Sequence, residues 1–149
     1  MAEVRKSLYA TAETAYQYLI QVKHLQPDQI ILYGHSLGGA VAIELATKHT
    51  FSNVIIHSSF TSPDDLSRGF TSGIPLHWFT KNIFVSIDKL KDINSPISFA
   101  HGKRDNVIPY SHSVALYEAA QELKLMIIIP ELSHNEVLRT ETITQLLKK

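Results

Sequence analysis

Ile30-Ile31-Leu32-Tyr33-Gly34-His35-Ser36-Leu37-Gly38-Gly39-Ala40-Val41-Ala42 is the stretch on which the fold turns. Its four leading apolar residues read as a short strand buried on both faces, as in a parallel sheet. After a glycine-rich corner, residues 40–48 read as a strongly apolar helix. The corner itself, Gly34-His35-Ser36-Leu37-Gly38, has the form G-x-S-x-G, in which a serine sits on a strained strand-to-helix turn. Glycines are expected at 34 and 38 because side chains there would collide with neighbouring backbone. The helix that follows points its positive N-terminus at the serine. This makes the backbone N–H of Leu37 a candidate oxyanion donor. The same glycines would also suit a plain turn or a phosphate-cradling loop. No lysine follows in P-loop spacing, which disfavours a nucleotide.

Outward from this corner the chain alternates short apolar runs with helix-period segments, the pattern of βαβ units. Upstream, residues 8–22 place Leu8, Ala12, Ala15, Tyr16, Leu19 and Ile20 on one helical face, and Pro27-Asp28 makes a turn. Downstream, residues 54–57, 96–100 and 125–129 read as three further strands. Residues 111–123 and 136–147 read as helices. The expected architecture is α/β: a parallel sheet of about four strands sandwiched by helices. Residues 58–92 break the pattern with scattered Pro and Gly among aromatics, as a lid-like insertion would. There Phe60, Phe70, Trp78 and Phe79 are either pocket-lining residues for an acyl group or ordinary packing under a long loop.

A serine needs a base held by an acid, in the chain order Ser, Asp or Glu, His. Asp105 follows the third strand and His134 follows the fourth, so both emerge at the same carboxyl edge of the sheet as Ser36. Ser36, Asp105 and His134 are therefore the candidate catalytic residues. Asp64 and Asp65 are competing acids, Asp105 is also a natural turn former, and His134 would equally suit a helix cap. His35, His57 and His101 lie near strand ends without the paired spacing of a metal site, and are expected to hydrogen-bond locally. No metal and no cofactor are called for.

The chain has 149 residues, 14 Lys plus Arg against 14 Asp plus Glu, and no cysteine. This length favours one domain, 1–149. Zero net charge gives no electrostatic reason to expect nucleic acid or an anionic membrane. Without cysteine there is no disulfide framework and no thiolate nucleophile. The apolar runs are too short for a membrane span and the N-terminus has no signal-peptide core, so a cytoplasmic protein is expected.

With these residues in place, the chain resembles serine hydrolases of the α/β-hydrolase superfamily, near the dienelactone-hydrolase-like proteins. The resemblance rests on residues 30–42, on Ser59-Phe60-Thr61-Ser62, on His101-Gly102 with Asp105 and Val107-Ile108-Pro109, and on Ser133-His134-Asn135. It implies an esterase, thioesterase or peptidase that works on a small-molecule acyl substrate without a cofactor. Relative to that family the upstream strands, and the loop giving the second oxyanion donor, have no counterpart in residues 1–27. The expectation is thus a partial α/β-hydrolase fold, N-terminally truncated. Residues 30–33 (Ile30, Ile31, Leu32, Tyr33) would then form an exposed edge open to self-association. The alternative to a working enzyme is a weak or inactive fragment acting as an interaction module through that edge.

Overall fold

The computed structural model describes residues 2–69, 84–136 and 138–147. Its elements are α1 (Ala2–Gln21), β1 (Ile31–His35), α2 (Leu37–Ala46), β2 (Asn53–His57), α3 (Pro63–Gly69), β3 (Ile97–Gly102), α4 (Ser111–Ala119), β4 (Lys124–Ile129) and α5 (Thr140–Leu146). Short 3₁₀ turns occupy Pro27–Gln29 and Ile87–Asp92. The β-branched runs pair as expected, in one parallel four-stranded sheet of order β1-β2-β3-β4. Among the described residues no helix is long and apolar enough to cross a membrane.

A sheet that adds its strands in sequence order through right-handed crossovers places the connecting helices on one face. Accordingly α2 and α4, with α1 stacked on α2, share a core with one side of the sheet. Tyr16, Ile43, Leu45, Val54, Ile56, Phe99 and Leu116 are all buried there. Each such side chain contributes roughly 1.5–3 kcal/mol of transfer free energy. The opposite face is covered by α5, which follows the last strand and packs on β3 and β4; Ile143, Leu146 and, just before the helix, Leu138 cluster with Ile55 of β2, Ala100, Leu125 and Ile127. Two side chains tie it down: Asn53 Nδ2 and Ser98 Oγ both donate to the Leu146 carbonyl, at 3.1 and 2.8 Å.

Helix α5 does not extend over β1, which corrects the expectation of a strand buried on both faces. Ile31 and Tyr33 point to the uncovered face of an edge strand and are each 46% exposed, while Leu32 packs on the covered side. Three smaller differences follow from tertiary packing. On α1 the packed stripe is the buried Tyr16 with the partly buried Ala12, Leu19 and Ile20, and Ala15 is exposed beside it. Helix α4 stops at Ala119 rather than 123, where Ala120 turns extended. The closing helix begins at Thr140 rather than 136, leaving His134 in the preceding loop and not at a helix cap.

Candidate active site

Ser36 is placed by the corner between β1 and α2. Its backbone lies at φ 53°, ψ −121°, a conformation that costs a non-glycine residue of order 1–3 kcal/mol. The strain is held by packing and by hydrogen bonds. Ser36 N–H donates to the His57 carbonyl at 2.9 Å, and the Ser36 carbonyl accepts from Ser59 Oγ at 2.9 Å and Gly39 N–H at 3.0 Å. A Cβ on Gly34 would strike the Gly38 backbone, so that glycine is required. The expected requirement at Gly38 is not found, since a Cβ there meets nothing within 4 Å. It passes to Gly39, where a Cβ would meet Ser59 Cβ and Oγ at 2.5 Å. Leu37 opens α2, and a first-turn N–H has no acceptor within its own helix.

The loops after β3 and β4 are fastened to one another. Lys103 N–H donates to the Ile129 carbonyl at 3.0 Å and Arg104 N–H to the Leu132 carbonyl at 3.2 Å. Gly102 lies so close to Leu132 that no side chain fits between them. This contact brings Asp105 to His134. Asp105 Oδ2 sits 2.7 Å from His134 Nδ1, and His134 Nε2 sits 3.1 Å from Ser36 Oγ.

Asp105 divides its two oxygens between two tasks. Oδ1 accepts from the Val107 and Ile108 N–H groups at 2.9 and 2.7 Å, which makes the turn its sequence position suggested. Oδ2 faces His134 Nδ1 and, 3.1 Å away, His101 Nε2. Burial pushes this carboxyl up, but the hydrogen bonds from His101, His134, Ile108 and Val107 outweigh it and hold it well below the carboxylate range. An ionised Asp105 fixes the proton of His134 on Nδ1 and leaves the Nε2 lone pair facing the Ser36 hydroxyl. The arrangement can therefore take the proton from Ser36 Oγ and balance the imidazolium that results.

The competing acids sit elsewhere. Asp65 Oδ2 accepts from Thr61 Oγ1 and Ser62 Oγ at 2.9 and 2.7 Å at the start of α3, and Asp64 is exposed on the same helix. Phe60 is 1% exposed and packs with Ala40, Leu66, Phe84 and Ile108. Phe70, Trp78 and Phe79 lie outside the described residues.

His35, His57 and His101 occupy the strand ends themselves. His35 Nε2 donates to the His134 carbonyl at 2.8 Å, and its ring lies 4.7 Å from His57 and 5.1 Å from His134. His57 Nδ1 pairs with the Tyr33 hydroxyl at 2.7 Å. Burial, with the neighbouring His35, His101 and His134, pushes His57 down to about 3, so it is neutral at physiological pH. His101 is wholly buried against Asp105, Ile108 and Ser113. No spacing rule marks these contacts. The only sequence signal is that His35 and His101 flank the candidate serine and aspartate by one and four positions.

Known proteins bear on this site at the level of fold and family. The acetyl xylan esterase of Paenibacillus sp. R4 superposes with a TM-score of 0.79 at 17% identity, over 95% of this chain and 52% of that one. A Mycobacterium tuberculosis puromycin-hydrolyzing peptidase superposes with a TM-score of 0.72 at 15% identity, over 83% of this chain and 21% of that one. In sequence, the chain is 33% identical over 132 residues to alpha/beta hydrolase domain-containing protein 17B of Homo sapiens, covering 89% of this chain and 44% of that protein. It thus spans less than half the length of that curated relative. Residues 5–144 match the family model of the alpha/beta hydrolase domain, and the chain belongs to the alpha/beta hydrolase family.

Proposed function

We propose that this chain is a serine hydrolase that cleaves an ester, thioester or amide of a small-molecule acyl substrate through an acyl-serine intermediate. The observation that carries this reading is the continuous path from Ser36 Oγ to His134 at 3.1 Å and from His134 to Asp105 at 2.7 Å. In the proposed cycle Ser36 Oγ attacks the acyl carbon as its proton passes to His134 Nε2. The Leu37 N–H donates to the oxyanion that forms. His134 then returns the proton to the leaving group, and a water repeats the sequence on acyl-Ser36. Neither metal nor cofactor enters these steps. The esterase and peptidase names of the structural neighbours fit the same chemistry.

We further propose that residues 1–149 act as one domain, with residues 58–92 as a lid-like segment. Incubation with p-nitrophenyl acetate, acid quenching and peptide mass mapping test the intermediate. The reading predicts an acetyl group on Ser36 in the wild type and none in Ser36→Ala. Nitrophenol release without acylation of Ser36 would overturn it.

A second reading is favoured by the 46% exposure of Ile31 and Tyr33 on the open β1 edge. In it the chain is an interaction module that pairs with a second copy along this edge. Sedimentation equilibrium of wild type against Tyr33→Lys tests it, with a dimer lost in the variant as the supporting result. Monomers in both samples would remove it.

A further inference from the structure

His101 has no part in the proton path, yet it is among the most completely buried side chains of the protein. Its Nε2 faces two acceptors, the Ile108 carbonyl at 2.8 Å and Asp105 Oδ2 at 3.1 Å. Neither can donate: a carbonyl has no hydrogen, and Asp105 is held ionised. Nε2 therefore carries a proton, which bonds the Ile108 carbonyl and lies beside Oδ2. His101 Nδ1 lies 2.6 Å from the Ser113 hydroxyl and is hydrogen-bonded to it. Ser113 is itself buried, on α4, so this hydroxyl has little freedom to choose another role.

The result is a chain of polar contacts that reaches Asp105 Oδ2 alongside His134. The Ser113 hydroxyl bonds His101 Nδ1, His101 Nε2 lies 3.1 Å from Oδ2, and His134 Nδ1 donates to the same Oδ2. The Val107 and Ile108 N–H groups hold the other oxygen. Rotation of the carboxylate would break contacts on both oxygens together. Without His101, the two backbone donors would still anchor Oδ1, but only His134 would define where Oδ2 points.

We propose that His101 is a positioning residue for the candidate triad: with Ser113 holding its ring in place, it sets the direction and charge that Asp105 Oδ2 presents to His134. This rests on the reading of Ser36, His134 and Asp105 as hydrolytic machinery. A buried polar network of this kind is strong when every member is satisfied, and loss of one member is felt along its length. Partners that orient metal-binding histidines and carboxylates are worth about 10- to 100-fold in affinity or activity, and the same scale is expected for a partner that orients Asp105.

The test pairs a spectroscopic signal with a chemical one. An imidazole Nδ1–H bonded to a carboxylate resonates far downfield of the amide protons, so His134 can be followed in water by proton NMR. His101→Phe keeps the ring volume and removes both nitrogens. The downfield resonance is expected to move, and labelling of Ser36 by a fluorophosphonate to slow by about 10- to 100-fold. His101→Gln returns an N–H donor near the Nε2 position and is expected to restore both readouts in large part. Ser113→Ala, a small change that removes the partner of Nδ1 and loosens the ring, is expected to move the resonance in the same sense by less. This variant decides the matter if His101→Phe does not fold.

A folded His101→Phe with an unmoved resonance and wild-type labelling would overturn the proposal, as would Gln and Phe variants equally impaired. An unmoved resonance in Ser113→Ala, where His101→Phe does not fold, would do the same. A wild type that takes no label, yet shows a resonance governed by His101, keeps the positioning role and removes the hydrolase reading. A wild type labelled at Ser36 whose resonance ignores His101 does the reverse.

Discussion

Asp105 and Ser36 stand at opposite ends of one hydrogen-bonded path and are held in opposite ways. The Asp105 carboxylate is fully buried and faces four donors, so its position is over-determined. Ser36 is half-buried, lies at φ 53°, and among the described residues its Oγ meets His134 Nε2 at 3.1 Å. The acid end thus adds to stability through its contacts, whereas the serine end holds strain that the rest of the fold must offset. A site in which the anchored group is rigid and the reactive group is strained and accessible suits a nucleophile. It also separates the two ends experimentally, because a change at one should cost stability and a change at the other should release it.

Asp105→Asn is the largest expected break in this contrast. The amide would set an NH₂ against the N–H groups of His101 and His134, or turn Oδ1 away from the backbone donors. Labelling of Ser36 should fall by about 10⁴-fold, the scale seen when a triad acid loses its charge. Denaturant unfolding should show a loss of about 2–4 kcal/mol at pH 7. The carboxyl is depressed in the folded state, so its contribution is present above the ordinary value of 3.8 and disappears as the pH falls below it. Wild type and variant should therefore converge in stability under acid.

Glycine substitutions sharpen the other end. Gly34→Ala drives a methyl group into the Gly38 backbone and Ala42, and should destabilise by roughly 3 kcal/mol. Gly38→Ala, four residues away in the same corner, meets open space and should be neutral or gain about 0.5 kcal/mol as a helix residue. Ser36→Gly should abolish labelling while raising stability by about 1 kcal/mol, since glycine adopts the strained backbone freely.

Between the two ends lies a pH-sensitive support. His57 is pushed down to about 3 from 6.5, so below pH 6.5 the unfolded chain binds a proton that the folded chain refuses. Stability should fall by about 1.4 kcal/mol per pH unit from this residue between pH 6.5 and 3. A His57→Gln variant should show a shallower slope across that window in urea titrations at several pH values. The smallest effect is expected far from the site. Leu123 lies at φ 65° and is 75% exposed, so Leu123→Gly should stabilise by about 0.5–1 kcal/mol in the same assay.

How much of this was legible in the sequence depends on how local its cause is. The strand–corner–helix at residues 30–46 is written in adjacent residues. The order Ser36, Asp105, His134 could be followed because strand ends in a parallel sheet converge on one edge. The uncovered face of β1 was not visible in its own residues. It depends on where α5, a hundred residues later, stops, and Ile31 and Tyr33 look like core until that is known. Gly38 and Gly39 are indistinguishable by pattern, and only the approach of Ser59 from the β2 side shows which one must lack a side chain. His101 could be seen four positions before Asp105, but no periodicity links a strand end to the loop after it. Its contact with Oδ2 is set by how that loop folds back.

The most direct measurement is the intact mass of the protein after treatment with a fluorophosphonate probe, beside Ser36→Ala and with peptide mapping of the adduct. One phosphonyl group on Ser36 of the wild type, and none on the variant, is the predicted result. An unlabelled wild type, under conditions that label another serine hydrolase, would contradict the account of Ser36 as a nucleophile.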